Sequence, residues 1–470
     1  MNVKSWLAKS PFLLPALVVL AAVGIVIAWL AAGPEQPLAA RLPGADQAPT
    51  ATGGGKANPV LAGILSHSNG VPADLPGTWP GFRGPAGNGI SPETSPLLRS
   101  WYSNGPPRLW AIDVGEGFAG AAVRGGRVYL MDYDTTRRQD ALRCLSLADG
   151  REIWRFAYPV SIKRNHGMSR TVPVVTDRVV IGMGPKCNVV VLNPQTGELR
   201  WGLDLVNQFG TVVPQWYAGQ CPLIDQDALI LAPAGTNALL AAFDLEKGAE
   251  RWRTPNPHDW KMRHSSVVVG EVDGERMYVY CANNGVVGVS ARKGEVLWEY
   301  PDWKISLATV PSPVFLGGGR VFLTGGYGAG SLVLQLKQEN GHWAAQPALR
   351  LKPETFGATQ HTPILYGDHL YGARADGKFV CLSLDGQVAW TSATGEAFGL
   401  GGFILADGLL LAMNDSGRLR LIEATPERYH LVNQAQIVGG EESWAPLALA
   451  GGRLIARDLL HMVCLDMNQH

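Results

Sequence analysis

The sequence has little charge and lacks the common signatures of metal, haem and hydrolase sites. Charged residues make up 17% of its 470 residues, and 40 basic and 40 acidic side chains cancel. A nucleic-acid-binding protein normally presents a basic face, so this balance argues against that class. The six cysteines form no CxxC, no CxxCH and no adjacent pair, and no HExxH, GxSxG or EF-hand loop is present. We therefore expect no metal site, no covalently attached haem and no recognisable catalytic residue.

Glycine, proline and tryptophan are abundant instead, at 57, 32 and 15 residues. Glycine and proline form tight turns, and aromatic residues favour strands, so the composition indicates many short strands rather than helices. Apolar residues make up 46% of the chain, which is enough for a large core. The composition thus favours an all-β protein.

An uncharged apolar run, PFLLPALVVLAAVGIVIAWLAA, occupies residues 11–32. A helix of this length is about 33 Å long and can cross the hydrocarbon core of a bilayer. Lys4 and Lys9 precede the run, so residues 1–10 are predicted to stay cytoplasmic and the rest to be exported. We expect a single-pass anchor in a bacterial inner membrane with the remainder in the periplasm. The alternative is a cleaved signal peptide, although the run is long for one and no clear A-x-A site follows.

The rest of the chain repeats a short phrase in which glycine precedes tryptophan by four residues. The five copies begin at glycine and end at tryptophan: Gly150–Trp154, Gly197–Trp201, Gly248–Trp252, Gly294–Trp298 and Gly386–Trp390. A tight turn followed by an apolar strand recurs with the same period, and most units have a proline near their first strand. Each unit of about 45 residues therefore reads as four antiparallel strands, which is typical of a β-propeller blade.

The count of repeats predicts eight blades. Seven units are complete, and the eighth, beginning at SWAPLAL (443–449), supplies only three strands. The missing outer strand is available in PPRLWAIDV (106–114), whose Trp110 lies in register with the other tryptophans. We therefore predict an eight-bladed propeller over residues 106–470, closed by strands from both ends. A disordered linker is predicted over 33–78 and a lead-in segment packing on the propeller over 79–105.

The repeated glycines and tryptophans are predicted to be structural. Glycine permits the backbone angles of a tight turn, and a large flat ring can fill the wedge between adjacent blades. The residues assigned to this docking role are Trp110, Trp154, Trp201, Trp252, Trp298 and Trp390, with Gly150, Gly197, Gly248, Gly294 and Gly386. A disulfide between Cys187 and Cys221 is an open alternative to two buried thiols.

The segment AFDLEKGAERW (242–252) resembles the repeat A-x-D-x-x-T-G-x-x-x-W, with Lys247 in the threonine place. This repeat is the tryptophan-docking motif of the pyrroloquinoline quinone (PQQ)-like β-propeller superfamily. WPGFRGPAGNGIS (79–91) is similar to the lead-in of many such propellers. The superfamily includes quinoprotein alcohol dehydrogenases and the non-enzymatic propeller of outer-membrane assembly. The resemblance covers about residues 79–470 and is specific for fold, since the motif is architectural.

Activity is a separate question. In the superfamily's enzymes the quinone lies at the channel mouth on a tryptophan, often beneath a disulfide of adjacent cysteines, with calcium nearby. This chain lacks the cysteine pair, long insertions and a cytochrome domain, so the non-enzymatic branch is favoured and no cofactor is expected. PQQ with calcium remains the alternative.

A ligand site is nevertheless predicted at the channel mouth, because polar and aromatic residues precede the inner strands and converge on the axis. They could bind a small anionic or planar ligand. The candidates are His166, Arg170, Trp216, Tyr217, Gln220, His264, Gln360, His361, Glu442 and Trp444. The alternative is that they cap strands and solvate a water-filled channel.

Three functions follow as hypotheses. The favoured one is a membrane-anchored, extracytoplasmic binding or assembly scaffold with a protein partner at its loops or blade edges. The second is a PQQ-dependent dehydrogenase that oxidises an alcohol or sugar. The third is a lyase or hydrolase that uses His166, His264 and His361.

Overall fold

The computed structural model describes residues 13–31, 57–101, 104–440 and 442–469. Helix α1 spans Leu13–Ala31. Among the described residues, no helix meets the combined length and hydropathy needed to cross a membrane. The predicted cytoplasmic residues 1–10, both ends of the predicted anchor and most of the predicted linker lie outside the described residues. The chain divides into two units, one of residues 1–48 and a second body of residues 49–470.

The described part of that body contains eight antiparallel sheets, which we number as blades 1 to 8. Blade 1 contains β1 (Ile64–His67), β3 (Ala122–Arg124), β4 (Arg127–Asp134), β5 (Gln139–Ser146) and β6 (Glu152–Pro159); blade 8 contains β2 (Arg108–Asp113), β31 (Ala448–Ala450), β32 (Arg453–Arg457) and β33 (His461–Asp466). Blade 2 contains β7 (Val174–Val175), β8 (Val180–Met183), β9 (Asn188–Leu192) and β10 (Leu199–Asp204); blade 3 contains β11 (Leu223–Asp225), β12 (Ala228–Leu231), β13 (Ala241–Asp244) and β14 (Glu250–Arg253).

The other four blades follow the same order from inner to outer strand. Blade 4 contains β15 (Val268–Val272), β16 (Glu275–Cys281), β17 (Val286–Ser290) and β18 (Val296–Tyr300); blade 5 contains β19 (Val314–Gly317), β20 (Arg320–Gly325), β21 (Gly330–Glu339) and β22 (His342–Leu351). Blade 6 contains β23 (Ile364–Tyr366), β24 (His369–Ala373), β25 (Phe379–Ser383) and β26 (Val388–Thr391); blade 7 contains β27 (Phe403–Ala406), β28 (Leu409–Met413), β29 (Arg418–Glu423) and β30 (Leu431–Gln436). The prediction of an eight-bladed propeller with four-stranded blades is confirmed.

The ring is closed by strands from distant parts of the chain. Strand β2 is the outer strand of blade 8 and pairs antiparallel with β33, with Trp110 opposite Cys464. This is the pairing that the position of Trp110 predicts. Closure removes two unpaired sheet edges, which would otherwise be open to pairing with other chains.

Four of the six repeated tryptophans donate a hydrogen bond to the next blade. Trp201 of blade 2 donates from its indole nitrogen to the Leu245 carbonyl of blade 3 at 2.9 Å. Its ring covers Gly248, where a Cβ would lie 2.6 Å from the ring. Gly248 also has a positive φ of 66°, so glycine is required both for the turn and for the approach of the ring.

The same contact recurs at other junctions. The donor–acceptor pairs are Trp110 to Leu147, Trp154 to Pro194, and Trp390 to Thr425, each to a carbonyl of the following blade. Small side chains lie opposite three of these rings in the register: Cys144 faces Trp154, Cys381 faces Trp390, and Cys464 faces Trp110. All six cysteines are buried free thiols, so the Cys187–Cys221 disulfide is absent.

Blade 5 interrupts the pattern of hydrogen bonds. The indole nitrogen of Trp298 donates to the Met277 sulfur of its own blade at 3.5 Å, while its ring lies in one core cluster with Val321 and Leu334 of blade 5. Gly386 faces Leu349 and Leu351 rather than a tryptophan ring. The cause is the long β21–β22 hairpin of blade 5, which carries no Gly-x-x-x-Trp phrase.

The predicted disordered linker is corrected at its C-terminal end, because residues 57–78 are ordered on the propeller. A 3-10 helix spans Pro59–Ala62, and Val60 is fully buried against Gly202 of blade 2. Strand β1 then adds a fifth strand to blade 1 by pairing with β6. The short apolar patch that includes Val60 and Leu65 is therefore the part of the segment that folds.

The lead-in segment crosses one end of the channel. The carbonyl of Pro80 accepts from Val175 of blade 2, and Arg83 donates to the Thr362 and Pro363 carbonyls of blade 6. The chain passes from blade 2 to blade 6 and then continues along blades 7 and 8. Because Glu93 also binds Gly451, in the turn between β31 and β32, this is the end of the channel where each blade makes its first hairpin turn.

Replacing a glycine that lies under a tryptophan ring should lower the free energy of unfolding more than replacing a glycine with a similar positive φ and no ring over it. Gly248→Ala is expected to lose about 1–2 kcal/mol for its positive φ and about 1–3 kcal/mol more for overpacking against Trp201. Gly408 is the matched control, since its φ is 69° and nothing lies near its missing Cβ. Urea unfolding of the two variants measures the difference, and equal losses would show that the docked ring contributes nothing.

Candidate ligand site at the channel mouth

The connections between blades converge at the end of the channel opposite the lead-in. Their residues surround a cavity of about 270 Å³ whose floor is Phe82 of the lead-in segment. Seven of its lining residues share one position, four residues before the first residue of the inner strand, or three in blade 7. The side chains or glycines at that position are Phe118, Arg170, Gly219, His264, Val310, Gln360 and Leu400.

A chain of hydrogen bonds around the axis holds these positions in place. The backbone N–H of Val172 donates to Cys221 Sγ, and that of Cys221 donates to Ser266 Oγ at 2.9 Å. The N–H of Ser266 then donates to Ser312 Oγ, and that of Ser312 to Thr362 Oγ1 at 2.8 Å. Each bond joins equivalent positions of neighbouring blades, so blades 2 to 6 are locked in register directly beneath the mouth.

Seven of the ten predicted site residues line this single cavity. They are His166, Arg170, Trp216, His264, Gln360, His361 and Trp444. The structure therefore brings together side chains that are up to 278 positions apart in the sequence. Whether they bind a ligand stays a prediction.

Arg170 is the cation in the wall. It donates to the backbone carbonyls of Trp216, Asn165 and His166, and its guanidinium lies 5.0 Å from the centre of the Phe118 ring. Burial lowers the pKa of Arg170 to about 10, so it stays protonated at neutral pH. The charge is thus held in a fixed place beside an aromatic face.

An aromatic shelf forms the adjoining wall. Phe118 and Trp444 stack with ring centres 5.0 Å apart and planes 26° apart. The Trp444 indole donates to Asp415 Oδ1 at 2.8 Å, and the same oxygen accepts from the Leu400 N–H at 2.7 Å. Asp415 therefore orients both Trp444 and Leu400 at the rim.

His264 lies against Gly219 and faces Trp216, with ring centres 6.1 Å apart. Burial, together with the positive charges of Arg170 and Arg263, lowers the pKa of His264 to about 3. Its two ring nitrogens are out of solvent, and a hydrogen bond with the Tyr217 backbone offsets only part of the lowering of the pKa. The imidazole is therefore neutral.

His361 is also neutral. Its Nε2 lies 2.9 Å from the Leu400 carbonyl and 3.2 Å from that of Trp444. Burial lowers its pKa to about 4, against the raising effect of those two carbonyls. Gln360 also donates to the Trp444 carbonyl, so both side chains fix the connection that carries the shelf.

Three predicted residues do not line the cavity. Gln220 is fully buried and pairs with both backbone groups of Ala232, which makes it structural. The Tyr217 hydroxyl bonds to the backbone of Lys163 behind the wall. Glu442 has a positive φ and acts on Arg170 only through its charge.

Sequence reasoning missed several lining residues, of which Phe82 and Phe118 matter most. Phe118 occupies the same position relative to its inner strand as Arg170 and His264, so counting back from each strand would have found it. Tyr327 lines the cavity from the turn between β20 and β21. Phe82 carried no such signal, because only the path of the lead-in across the axis places it there.

The residues present do not fit a calcium-bound quinone. Calcium takes six to eight oxygen ligands, mostly from carboxylates and carbonyls. Among the residues that the structure describes, no Asp or Glu lines this cavity, and no three His, Cys, Asp or Glu side chains are placed to hold a metal ion. A tricarboxylate quinone would also meet one guanidinium already committed to three carbonyls. We therefore derive no chemistry through this cofactor.

Comparison with known proteins supports the fold. A family model described as "Outer membrane protein assembly factor BamB" matches residues 137–392. No curated protein matches the sequence. BamB from Moraxella catarrhalis has a similar structure, with a TM-score of 0.53 and 12% identity over 77% of this chain and 99% of that one.

Enzymes of the same fold are equally similar. A europium-containing methanol dehydrogenase has a TM-score of 0.55 and 11% identity, covering 82% of this chain and 90% of the other. The quinohemoprotein alcohol dehydrogenase ADHIIG from Pseudomonas putida HK5 has a TM-score of 0.54 and 12% identity, covering 84% and 80%. At these identities the similarity establishes the fold alone.

The neutral His264 should make the protein sensitive to acid. Because its pKa falls from an ordinary 6.5 to about 3 on folding, the unfolded chain binds the proton more readily between these values. Its contribution to stability is complete above pH 6.5 and is lost as the pH falls towards 3. In His264→Gln the melting temperature should drop less between pH 7 and pH 4.5 than in the wild type. The same drop in both proteins would contradict the assignment.

Proposed function

The chain belongs to the β-propeller family described as outer membrane protein assembly factor BamB, and from this premise we propose that it is a non-catalytic scaffold that binds a protein partner at the channel mouth. The family match carries the proposal, because it covers more than half of the chain. The name of the Moraxella catarrhalis relative points to the same kind of role. The propeller would hold its partner near a membrane outside the cytoplasm.

The exposed side chains of the mouth support a binding role. Val212 and Leu307 lie in connections between blades and are each 41% exposed, while Tyr327 and Leu460 lie in hairpin turns at the same end and are 45% and 47% exposed. They lie at the same end as the cavity, whose lining includes five aromatic rings. Apolar side chains gathered on one face are typical of a protein-interaction surface.

The membrane tether is proposed from the N-terminal sequence. Residues 11–32 carry no charge, and most of them form α1, whose described apolar side chains such as Ile25 are exposed. Lys4 and Lys9 lie on one side of the run, which favours a cytoplasmic N-terminus and a periplasmic propeller in a bacterial inner membrane.

The dehydrogenase is the second candidate, and two observations favour it: two alcohol-oxidising enzymes share the fold, and Trp216 and Trp444 line the mouth. None of the described carboxylates lines the cavity wall, which argues against it. A His-based lyase or hydrolase has His166, His264 and His361 in one cavity. His361, however, is committed to two carbonyls, and no metal-holding cluster is found among the described residues.

A photo-crosslinking amino acid at Leu307 or Val212, in the full membrane-bound chain, should yield a discrete crosslinked protein. The matched controls are Val388 and Tyr366, which are exposed to a similar extent on blade 6 but lie away from the mouth. Identification of one product by mass spectrometry from the mouth positions alone is the expected result. Equal labelling from all four positions would contradict a mouth-specific partner.

Titration with PQQ and calcium separates the scaffold from the dehydrogenase. The full chain in detergent is expected to show no saturable heat by calorimetry, because the cavity offers no carboxylate to the metal. Binding at micromolar concentration or below, abolished in Trp216→Ala, would favour the dehydrogenase over the scaffold and direct the search for substrates to alcohols and sugars.

A further inference from the structure

We propose that a cleft at the rim of the propeller, between blades 5 and 6, binds a protein segment through an arginine and a tryptophan that are adjacent in that segment. The cleft lies among hairpin turns at the lead-in end, away from the channel mouth. It goes beyond the proposed function and does not rest on the partner proposed for the mouth. Three observations carry it: the register of β22, the contacts at another junction, and the charges that line the cleft.

Blade 5 has small apolar side chains where blade 2 has the docking tryptophan and its neighbour. In blade 2 the register of the outer strand shifts at Arg200, immediately before Trp201. In blade 5 it shifts at Ala348, immediately before Leu349. Ala348 and Leu349 therefore occupy the positions that the arginine and the tryptophan have in blade 2.

The junction between blades 2 and 3 shows what such a pair of side chains binds. Trp201 donates from its indole nitrogen to the Leu245 carbonyl at 2.9 Å and covers the glycine of the same turn. Arg200 forms an ion pair with Glu246, which lies two residues before that glycine. An arginine and a tryptophan on an outer strand thus bind an acidic turn of the next blade.

At the junction of blades 5 and 6 the shorter side chains leave a cleft of about 610 Å³. Ala348 and Leu349 form one wall, and the turn of residues 383–385 in blade 6 forms the other. The volume lies within the roughly 300–1,000 Å³ usual for ligand pockets, so more than one side chain fits. Leu351 already covers the turn glycine, Gly386, so a bound ring would lie beside it, over residues 383–385.

The backbone of this turn offers the acceptor that an indole needs. Leu384 follows the last residue of β25 as Leu245 follows the last residue of β13, and it lines the cleft. The Leu384 carbonyl is therefore the equivalent of the one that accepts from Trp201. Tryptophan and arginine are also the side chains that supply much of the binding energy at protein interfaces.

The charges that line the cleft favour a basic side chain beside the ring. Blade 6 supplies Asp385 from this turn, and Asp368 and His369 from the turn between β23 and β24. Arg320 of blade 5 also lines the cleft, but it donates to a carbonyl of its own turn at 3.5 Å. The Ser383 hydroxyl donates to Asp385 and lowers the pKa of that carboxyl, so Asp385 is ionised at neutral pH. An arginine of the partner would pair with it as Arg200 pairs with its acid in blade 3.

Fluorescein-labelled pentapeptides test the proposal with the full chain in detergent, by fluorescence anisotropy. SARWS is expected to bind about tenfold more tightly than SARAS, the loss typical of removing a buried anchor, and more tightly than SAEWS. Leu349→Trp adds the ring that the other junctions have and should abolish the preference for SARWS over SARAS. Leu109→Trp is the matched control, because it makes the same change on the outer strand of blade 8.

Asp385→Asn should weaken the binding of SARWS about threefold at low salt. Asp149→Asn should not, although Asp149 also precedes a turn glycine, because Trp110 already covers that turn. Equal binding of SARWS and SARAS, an unchanged preference in folded Leu349→Trp, or unchanged binding in Asp385→Asn would overturn the inference. So would tryptamine that competes as strongly as SARWS, because the site would then hold a free small amine. The crosslink at the mouth would survive each of these failures, so the two proposals can fail separately.

Discussion

The contact between an outer-strand tryptophan and the glycine turn of the next blade is the interaction on which the ring depends. Eight sheets around an axis diverge towards the rim, and a wedge opens between each pair. The Trp201 ring fills this wedge, and its N–H satisfies a carbonyl of the neighbouring turn at 2.9 Å. Outside the channel mouth each blade packs mainly on its two neighbours, so such junctions contribute around the whole ring.

The junctions at the rim are matched by others at the axis. The hydrogen bonds from Val172 through Cys221, Ser266 and Ser312 to Thr362 tie five blades together near the channel. On the remaining blades Gly120, Gly402 and Ala445 take the equivalent positions and bring the backbones close instead. Because the cavity wall lies two residues before this belt, the same bonds that hold the blades also set the positions of Arg170 and His264.

The fold was predictable because it repeats. A period of about 45 residues with Trp110 in register specifies both the number of blades and the closing strand, without any knowledge of side-chain contacts. The mouth was partly predictable for the same reason, since equivalent positions of a ring converge on its axis. His264 and Trp444 were found in this way, although they are 180 residues apart.

The errors come from features that do not repeat. Phe82 reaches the cavity only through a segment that crosses the axis once, and residues 57–78 fold because Val60 finds a buried place on blade 2. Gln220 has a polar side chain of the kind found in ligand sites. It is bound instead to the backbone of Ala232, a contact that only the three-dimensional structure reveals. Trp298 carries the docking phrase, yet the next blade has no glycine turn to receive it.

The closing strand has a consequence for biogenesis. Arg108–Asp113 and His461–Asp466 form one hairpin-like pair, but the ribosome makes them about 350 residues apart. At roughly 5–20 residues per second, β2 waits on the order of half a minute for its partner. During this time blade 1 has an exposed flank, and the chain has to cross a membrane if it is exported. A chaperone that shields the stretch around Trp110 during translocation would therefore be of more use to this protein than one that acts on any of its internal blades.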